Sequence, residues 1–316
     1  MKIFNLLYTF ISFILKLSIL LLIVLIFYFS LPIKTTKSVV LPKGSVTKVV
    51  NTLKKQGYNL TILDTYLLAY LLDSPKSGTL TIGGKAMSRI AFLQKLSTAK
   101  EAINIVTLIP GETKVIFLQE LAANQALDAE KLNHYYDEFS SYKEAGILPD
   151  TYHLPKDATE KSLIKTLVMQ SEKKYKKLAL TYLKKYDKKE WNRILTIASV
   201  TQKEAANNKE MPIVASVVYN RLKIDMPLQM DGTLNYGKYS HVKVTPKRIK
   251  TDKSGFNTYS NRGLPPYPVC SVSIEAIKAA LNPAKTNYLY FMKNKSGVHD
   301  FTSSYQAHLR NIRKAK

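Results

Sequence analysis

Residues Trp191–Asn208 read WNRILTIASVTQKEAANN. At 100° per residue, Ile194, Ile197, Ala198, Thr201 and Ala205 fall on one face, which predicts an amphipathic helix with that face buried. Glu204 projects about 20° from Ile197, on the flank of the face, while Lys203 points roughly the opposite way. A carboxylate at the edge of an apolar stripe loses part of its hydration, which raises its pKa and suits it to general-acid work. The same spacing admits a second reading, a surface ion pair of Glu204 with Lys203, Lys209 or Arg221. Helix geometry alone does not choose between them.

Downstream, PIVASVVYNRLK (Pro212–Lys223) has the pattern of a second apolar helix ending in Asn220 and Arg221. LQMDGTLNYG (Leu228–Gly237) then brings Gln229, Asp231, Thr233 and Tyr236 into a turn-rich stretch. FNTYSNRGLPPYP (Phe256–Pro268) adds Asn257, Tyr259 and Arg262, and its three prolines exclude a central strand or a helix interior. Polar and aromatic side chains on rigid loops make up a carbohydrate cleft, and equally any loop-rich surface.

Upstream, Ser162–Lys189 is helical in pattern and rich in lysine, which reads as a solvated helix face. GILPDTYHLP (Gly146–Pro155) carries too many prolines for regular structure to be expected. Ser38–Leu60 runs strand, turn, helix, with Val46, Val49, Val50 and Leu53 on the helical face and Gly57 as its stop. Ile105–Leu127 repeats the plan. Ser45 in the first copy and Thr113 in the second stand where a hydroxyl caps a helix N-terminus. Between the copies, Ser77–Gly84 reads as a strand with turns and Met87–Leu96 as a helix, and Lys34–Lys37 forms a short polar linker.

From Ile3 to Leu31 the only strongly polar residues are Asn5 and Lys16, and Leu17–Phe29 reads LSILLLIVLIFYF. A membrane-spanning helix needs about 20 apolar residues. No small-x-small cleavage pattern surrounds Ser30-Leu31-Pro32, so the segment reads as an uncleaved anchor. Lys2 stands before it and Lys34 and Lys37 after it, so the positive-inside rule does not set its orientation.

The chain's 316 residues suffice for about two domains beyond the anchor, and 46% hydrophobic residues exclude wholesale disorder. A net charge of +24 points to a polyanion or a membrane surface. One cysteine, Cys270, excludes an intramolecular disulfide and a cysteine-based zinc site, and it reads as a buried structural thiol. The five histidines show no metal-ligand spacing, so neither a metal nor another cofactor is expected.

The ordered pieces LTIASVTQKEA, PIVASVVYNRL, LQMDGTLNYG, FNTYSNRGLPPYPVC, SIEAIKAALNPAKTNYLYF and GVHDFTSSYQAHLRNI resemble the endolytic murein transglycosylase (YceG-like) family across nearly all of 195–312. GILPDTYHLP resembles that family's Pro-Asp-Thr-Tyr segment. The resemblance implies an α+β fold: an N-terminal transmembrane helix (1–33), small LysM-like strand–helix modules (34–105) and a YceG-like catalytic region (106–316, core motifs 191–312). It implies a single-pass inner-membrane protein whose catalytic domain is extracytoplasmic, or periplasmic, and cuts peptidoglycan glycan strands between MurNAc and GlcNAc to leave 1,6-anhydro ends. It places the catalytic acid/base on Glu204, since the family's first acidic position is Gln202 here. By the same resemblance Gln229, Asp231, Tyr236, Asn257 and Tyr259 bind substrate, and Phe256 and Tyr267 depart from the family's usual residues. The implied partners are glycan strands, the membrane and wall-synthesis proteins. Two other classes remain open: a glycan-binding scaffold with little catalysis, and a nucleic-acid binder. Charge alone supports the second, because no helix-turn-helix, zinc-finger or RNP pattern is present.

Overall fold

A computed structural model describes residues 2–315. Contacts divide the chain into two units, one running to Asn104 and taking in Pro155–Asp157, the other formed by Ile105–Leu154 and Ala158–Lys316.

The first unit opens with α1 (Lys2–Ser30), whose segment Leu6–Ser30 is long and apolar enough to cross a membrane; its apolar stretch is exposed, and only its last turn, at Tyr28 and Phe29, packs on the protein. Strands β1 (Pro32–Ile33) and β2 (Ser38–Leu41) follow, then α2 (Val46–Lys55) and α3 (Ile62–Tyr66), β3 (Gly78–Thr81), β4 (Met87–Ser88) and α4 (Arg89–Thr98). Pairing is antiparallel in both small sheets, β1 with β4 and β2 with β3 in the register Ser38↔Thr81 to Leu41↔Gly78. Ser45 caps α2 by accepting from the Lys48 N–H at 3.3 Å, and Val49, Val50 and Leu53 are buried as their spacing predicts. They join Leu80, Phe92 and Leu96 in one core. The helix expected from Met87 begins two residues later, because Met87 and Ser88 pair with Ile33 and Pro32.

A buried polar cluster ties the end of α1 to this core. Asp64 is fully buried and accepts from Tyr28 Oη at 2.9 Å, Thr61 N at 2.6 Å and Arg89 Nη1 at 2.7 Å. The Arg89 guanidinium also lies 4.4 Å from the Tyr28 ring centre. Removing one partner of such a pair strands a buried charge. Arg89→Met is therefore expected to destabilise this unit by about 3–5 kcal/mol in chemical unfolding, and a loss below about 1 kcal/mol would show that the pair is dispensable.

Strand β5 (Ile103–Leu108), whose residues from Ile105 onward belong to the second unit, leads to α5 (Lys114–Gln125) and α6 (Ala129–Phe139). The proline-rich stretch expected to be irregular instead forms β6 (Asp150–Pro155), which pairs with β5. Its prolines lie before the strand or at its last residue, where no ladder donor is lost. The second expected cap also differs. Thr113 makes no capping bond; its hydroxyl is fully buried and donates to Gly237 O at 2.8 Å, fixing a distant loop.

Helix α7 (Glu160–Leu183) exposes Lys173, Lys174, Lys176 and Lys177 and buries Tyr175 and Ala179 beside them, the solvated face that its composition predicts. A left-handed residue, Lys184, ends it, and α8 (Lys188–Glu204) begins behind an Asp187 cap. Trp191 and Ile194–Thr201 are all buried, so α8 is enclosed on every side along Ile194–Thr201, while Lys188, Lys189 and Arg193 in its first half stay exposed. The reason is its company: α9 (Met211–Lys223) and α11 (Ile274–Leu281) pack against it, and Val269 N–H from the proline loop donates to Ser199 Oγ at 2.9 Å. Lys203 is likewise half-buried and donates to Ser240 Oγ at 3.3 Å instead of pointing to solvent. Between α9 and α11 the chain holds two short 3-10 turns and α10 (Pro246–Thr251); after α11 come the hairpin β7 (Tyr290–Lys293) and β8 (His299–Thr302), and α12 (Tyr305–Ala315).

Candidate active site

Helix α8 ends at Glu204, which puts a half-buried carboxylate at the negative end of a helix whose body is core. The loop 229–234 passes directly across it. Gly232 N–H donates to Glu204 Oε1 at 2.7 Å. The approach requires glycine: a Cβ at this position would lie 2.5 Å from Lys203 Cβ and 2.8 Å from Glu204 Oε1. Burial pushes the Glu204 carboxyl up to about 7, and the neighbouring Asp231 charge adds to the rise; the Gly232 hydrogen bond and the Arg221 cation oppose it. Oε1 is the oxygen that accepts the backbone bond, so a proton on this group sits on Oε2. The ion pair weighed as the alternative for Glu204 is absent among the described residues.

The proline loop braces the loop over Glu204 from behind. Thr258 O accepts from Gln229 N at 3.1 Å, and Thr258 Oγ1 accepts from Met230 N at 3.1 Å and bonds Thr233 Oγ1 at 3.0 Å. At the open edge Tyr259 Oη donates to Asp231 Oδ1 at 2.7 Å, and burial together with the adjoining carboxylate raises the Tyr259 phenol well above its usual range. Glu204, Asp231 and Tyr259 are thus brought together. Gln229 stands exposed on the same loop in a left-handed conformation, φ 48°, unusual for a residue other than glycine and held by the Thr258 bond.

The two remaining expected contacts sit elsewhere. Asn257 is fully buried; its amide donates to Ile249 O and Asp252 O, each at 2.8 Å, and its oxygen accepts from Tyr259 N at 3.1 Å. With its amide and oxygen turned inward, it shapes the loop. Tyr236 stacks on Phe256 with ring centres 4.2 Å apart, reaches Asp252 with its hydroxyl at 3.3 Å, and lines a separate cavity of about 460 Å³.

Two contributors carry little signal in the sequence. Gly232 acts through its backbone, and the adjacent Asp-Gly pair was its only signal. Arg221, weighed only as an ion-pair partner, is a buried cation without a carboxylate partner among the described residues. It donates to Leu289 O at 2.6 Å, to Pro227 O at 3.3 Å and to Leu228 O, so it fixes the root of the loop that crosses Glu204. Glu210 fixes the chain on the other side of Glu204: it accepts from Ala206 N at 3.1 Å and from His299 Nδ1 at 2.7 Å. Cys270 is fully buried, and desolvation drives its thiol far above the usual range, so it is inert. No group of three or more His, Cys, Asp or Glu side chains among the described residues has metal-holding geometry.

The YceG-like family model matches residues 39–314. An endolytic murein transglycosylase of Bacillus subtilis (strain 168) is 30% identical over 309 residues, covering 87% of this chain and 83% of the relative. An endolytic murein transglycosylase of Streptococcus pneumoniae (strain ATCC BAA-255 / R6) is 31% identical over 251 residues, and there the match takes in only 45% of the relative's length. Among solved structures, the 2.6 Å crystal structure of a YceG-like protein from Listeria monocytogenes aligns with a TM-score of 0.57 at 26% identity, covering 88% of this chain and 99% of that one.

Proposed function

The chain belongs to the YceG-like family, and from that premise we propose that Glu204 is the single catalytic acid/base of an endolytic peptidoglycan transglycosylase. The enzyme is a lyase acting on the wall polymer. The observation that carries the assignment is one carboxyl group, half-buried, pushed up to about 7 and aimed by a backbone N–H.

At or below neutral pH a substantial share of Glu204 carries its proton on Oε2 and donates it to the glycosidic oxygen between MurNAc and GlcNAc as the C1–O4 bond breaks. GlcNAc leaves with a free 4-hydroxyl. The carboxylate then removes the proton of the MurNAc C6 hydroxyl, whose oxygen closes on C1 to give a 1,6-anhydro end and restores the acid. A hydrolase needs a second carboxylate to act as nucleophile or to activate water. Here the nucleophile belongs to the substrate, which suits a site whose other carboxylate, Asp231, is engaged by Tyr259. Asp231 and Tyr259 orient sugar hydroxyls at the open edge, Gln229 supplies an exposed amide, and Tyr236 contributes from its own cavity.

In this reading the helix Leu6–Ser30 is a single-pass anchor, and residues 34–105 form a LysM-like glycan-holding module ahead of the catalytic region 106–316. The catalytic region faces outward from the cytoplasmic membrane, where its polymer lies. The net +24 attracts anionic wall and headgroups. Cutting near the membrane trims or terminates nascent strands and brings the protein beside wall-synthesis enzymes.

Full-length protein incubated with peptidoglycan is expected to release fragments ending in 1,6-anhydro-MurNAc by mass spectrometry; reducing ends alone would make it a hydrolase. Because the acid form is the active one and the carboxyl sits near 7, kcat/KM should be level at mildly acidic pH and fall about tenfold per unit above neutrality. A rate that rises through pH 8 would remove Glu204 from the role of acid.

A further inference from the structure

The cavity of about 460 Å³ lies wholly within the second unit and is walled by Lys114, Lys143, Glu144, Tyr236, Phe256 and Tyr267, among others. Its volume falls within the range of about 300–1,000 Å³ typical of small-ligand sites. Tyr236 and Gly237 in its wall continue the loop whose Gly232 holds Glu204, so the cavity and the catalytic carboxyl are reached by one short stretch of chain.

Its chemistry is selective. Glu144 is only 6% exposed; Oε1 accepts from Lys114 N at 2.9 Å and Ala145 N at 3.2 Å. Burial pushes its carboxyl up to about 8, with the Glu112 charge adding to the rise, so at neutral pH it is mostly a neutral proton donor. The Lys114 ammonium is already paired with Asp137 Oδ1 at 3.0 Å and lies 4.6 Å from the Tyr136 ring centre. Lys143 lies at the rim, 5.5 Å from the Tyr267 ring centre. The inner wall therefore offers hydrogen-bond donors with no net charge. That buried set does not fit a phosphate or carboxylate, which needs unpaired cations within the wall and finds only the exposed Lys143, or an ammonium, which needs ionised acids. Beside it stand three aromatic rings: Tyr236 and Phe256 stacked at 4.2 Å, and Tyr267 edge-on to Phe256 at 4.9 Å. Aromatic rings beside neutral donors match the C–H faces and acetamido carbonyl of an N-acetylhexosamine.

We propose that this cavity is a distal subsite that holds an uncharged N-acetylated sugar of the glycan strand while Glu204 cuts elsewhere on the same strand. The inference rests on the transglycosylase reading and adds a length requirement to it: strands long enough to reach the cavity bind more tightly than those that only span the cut. Glu144 donates to the acetamido carbonyl, and Tyr267 forms the outer wall of the slot.

The test uses full-length protein in detergent with stem-free glycan strands sorted by length. Tyr267→Ala and Glu144→Met should each raise KM for long strands about tenfold, the equivalent of about 1.4 kcal/mol, with kcat within twofold. KM for the shortest strand the wild type cuts should stay unchanged. Glu144→Gln keeps a donor and an acceptor at the same place and should retain the wild-type KM at pH 6. If Glu144→Met fails to fold, Tyr267→Ala, at a half-buried surface position, still decides the question. Equal KM changes on long and short strands, or none on either, would overturn the subsite. Failure of the wild type to cut any strand would instead strike the transglycosylase reading. In that case chitohexaose binding by calorimetry to Glu204→Gln, with and without Tyr267→Ala, tests the cavity by itself: a tenfold loss of affinity supports it and no change overturns it.

Discussion

Glu204→Gln is expected to lower the rate of glycan cleavage by about 10²–10⁴-fold, the range that a positioned general acid contributes, while making the protein more stable above neutral pH. Both halves follow from one geometry. Glutamine keeps the oxygen that accepts from Gly232 N–H and fills the same space, but it has no transferable proton. The stability effect has a definite sign. The folded carboxyl sits at about 7 against an ordinary 4.5, so folding favours its neutral form. The stability this contributes is complete below about pH 4.5 and is lost as pH rises through 7. The shift corresponds to about 3 kcal/mol by pH 8. The glutamine variant escapes that loss, so it should melt several degrees above the wild type at pH 8 and together with it near pH 4.5. Thermal melts at the two pH values and turnover at pH 6 check all of this. A variant that cuts at more than about a tenth of the wild-type rate would transfer the acid role, with Asp231 the next candidate. One equally stable at pH 4.5 and pH 8 relative to wild type would remove the buried-acid account.

How far the sequence reached depends on whether a feature is local. The caps and apolar face of α2 are properties of ten consecutive residues, and Ser45, Val49, Val50 and Leu53 do what their spacing requires. The spacing of α8 pointed to one buried face, yet Ile194–Thr201 is buried on every side, because its surroundings come from α9, α11 and a proline loop about seventy residues away. Thr113 fails as a cap for the same reason: a distant carbonyl, Gly237 O, takes its hydroxyl. Within the site, the Glu204 flank position was visible from helix periodicity. The direction of its pKa shift was legible too, as one of two readings, because desolvation is its leading cause; the opposing influences of Asp231, Gly232 and Arg221 were not, since they come from separate segments. Asn257 shows the limit most plainly. An asparagine on a polar loop looks like a ligand contact, and only the fold reveals that its amide is spent on Ile249 and Asp252 carbonyls.

The backbone of Gly232 matters as much as the acid it holds, and Gly232→Ala tests that. The residue is not in a left-handed conformation, so the substitution carries no φ penalty; the cost is the space that an added methyl would need. Its nearest neighbours would be Lys203 Cβ at 2.5 Å and Glu204 Oε1 at 2.8 Å, with the Lys203 carbonyl carbon at 3.4 Å. Lys203 Cβ and that carbonyl carbon belong to the end of a helix locked in the core, so the helix does not yield. The loop must lift, and with it goes the bond to Glu204 Oε1. Thr258 and Arg221 hold the loop at both Gln229–Met230 and its root, which concentrates the displacement at Asp231 and Gly232. A misplacement of about 1 Å between a catalytic group and its substrate costs about 10²-fold in rate. The expected result is a fall in kcat of about that size with KM changed less than threefold, because Tyr236 and the cavity beside it stay in place. Loss of the Gly232 N–H also removes a contribution that lowers the Glu204 pKa, so the alkaline fall in activity should move above pH 7. A pH–rate profile separates this from general damage: partial unfolding would lower activity at every pH and leave the midpoint where it was. An alanine variant with wild-type kcat and an unmoved midpoint would show that the loop does not aim the acid.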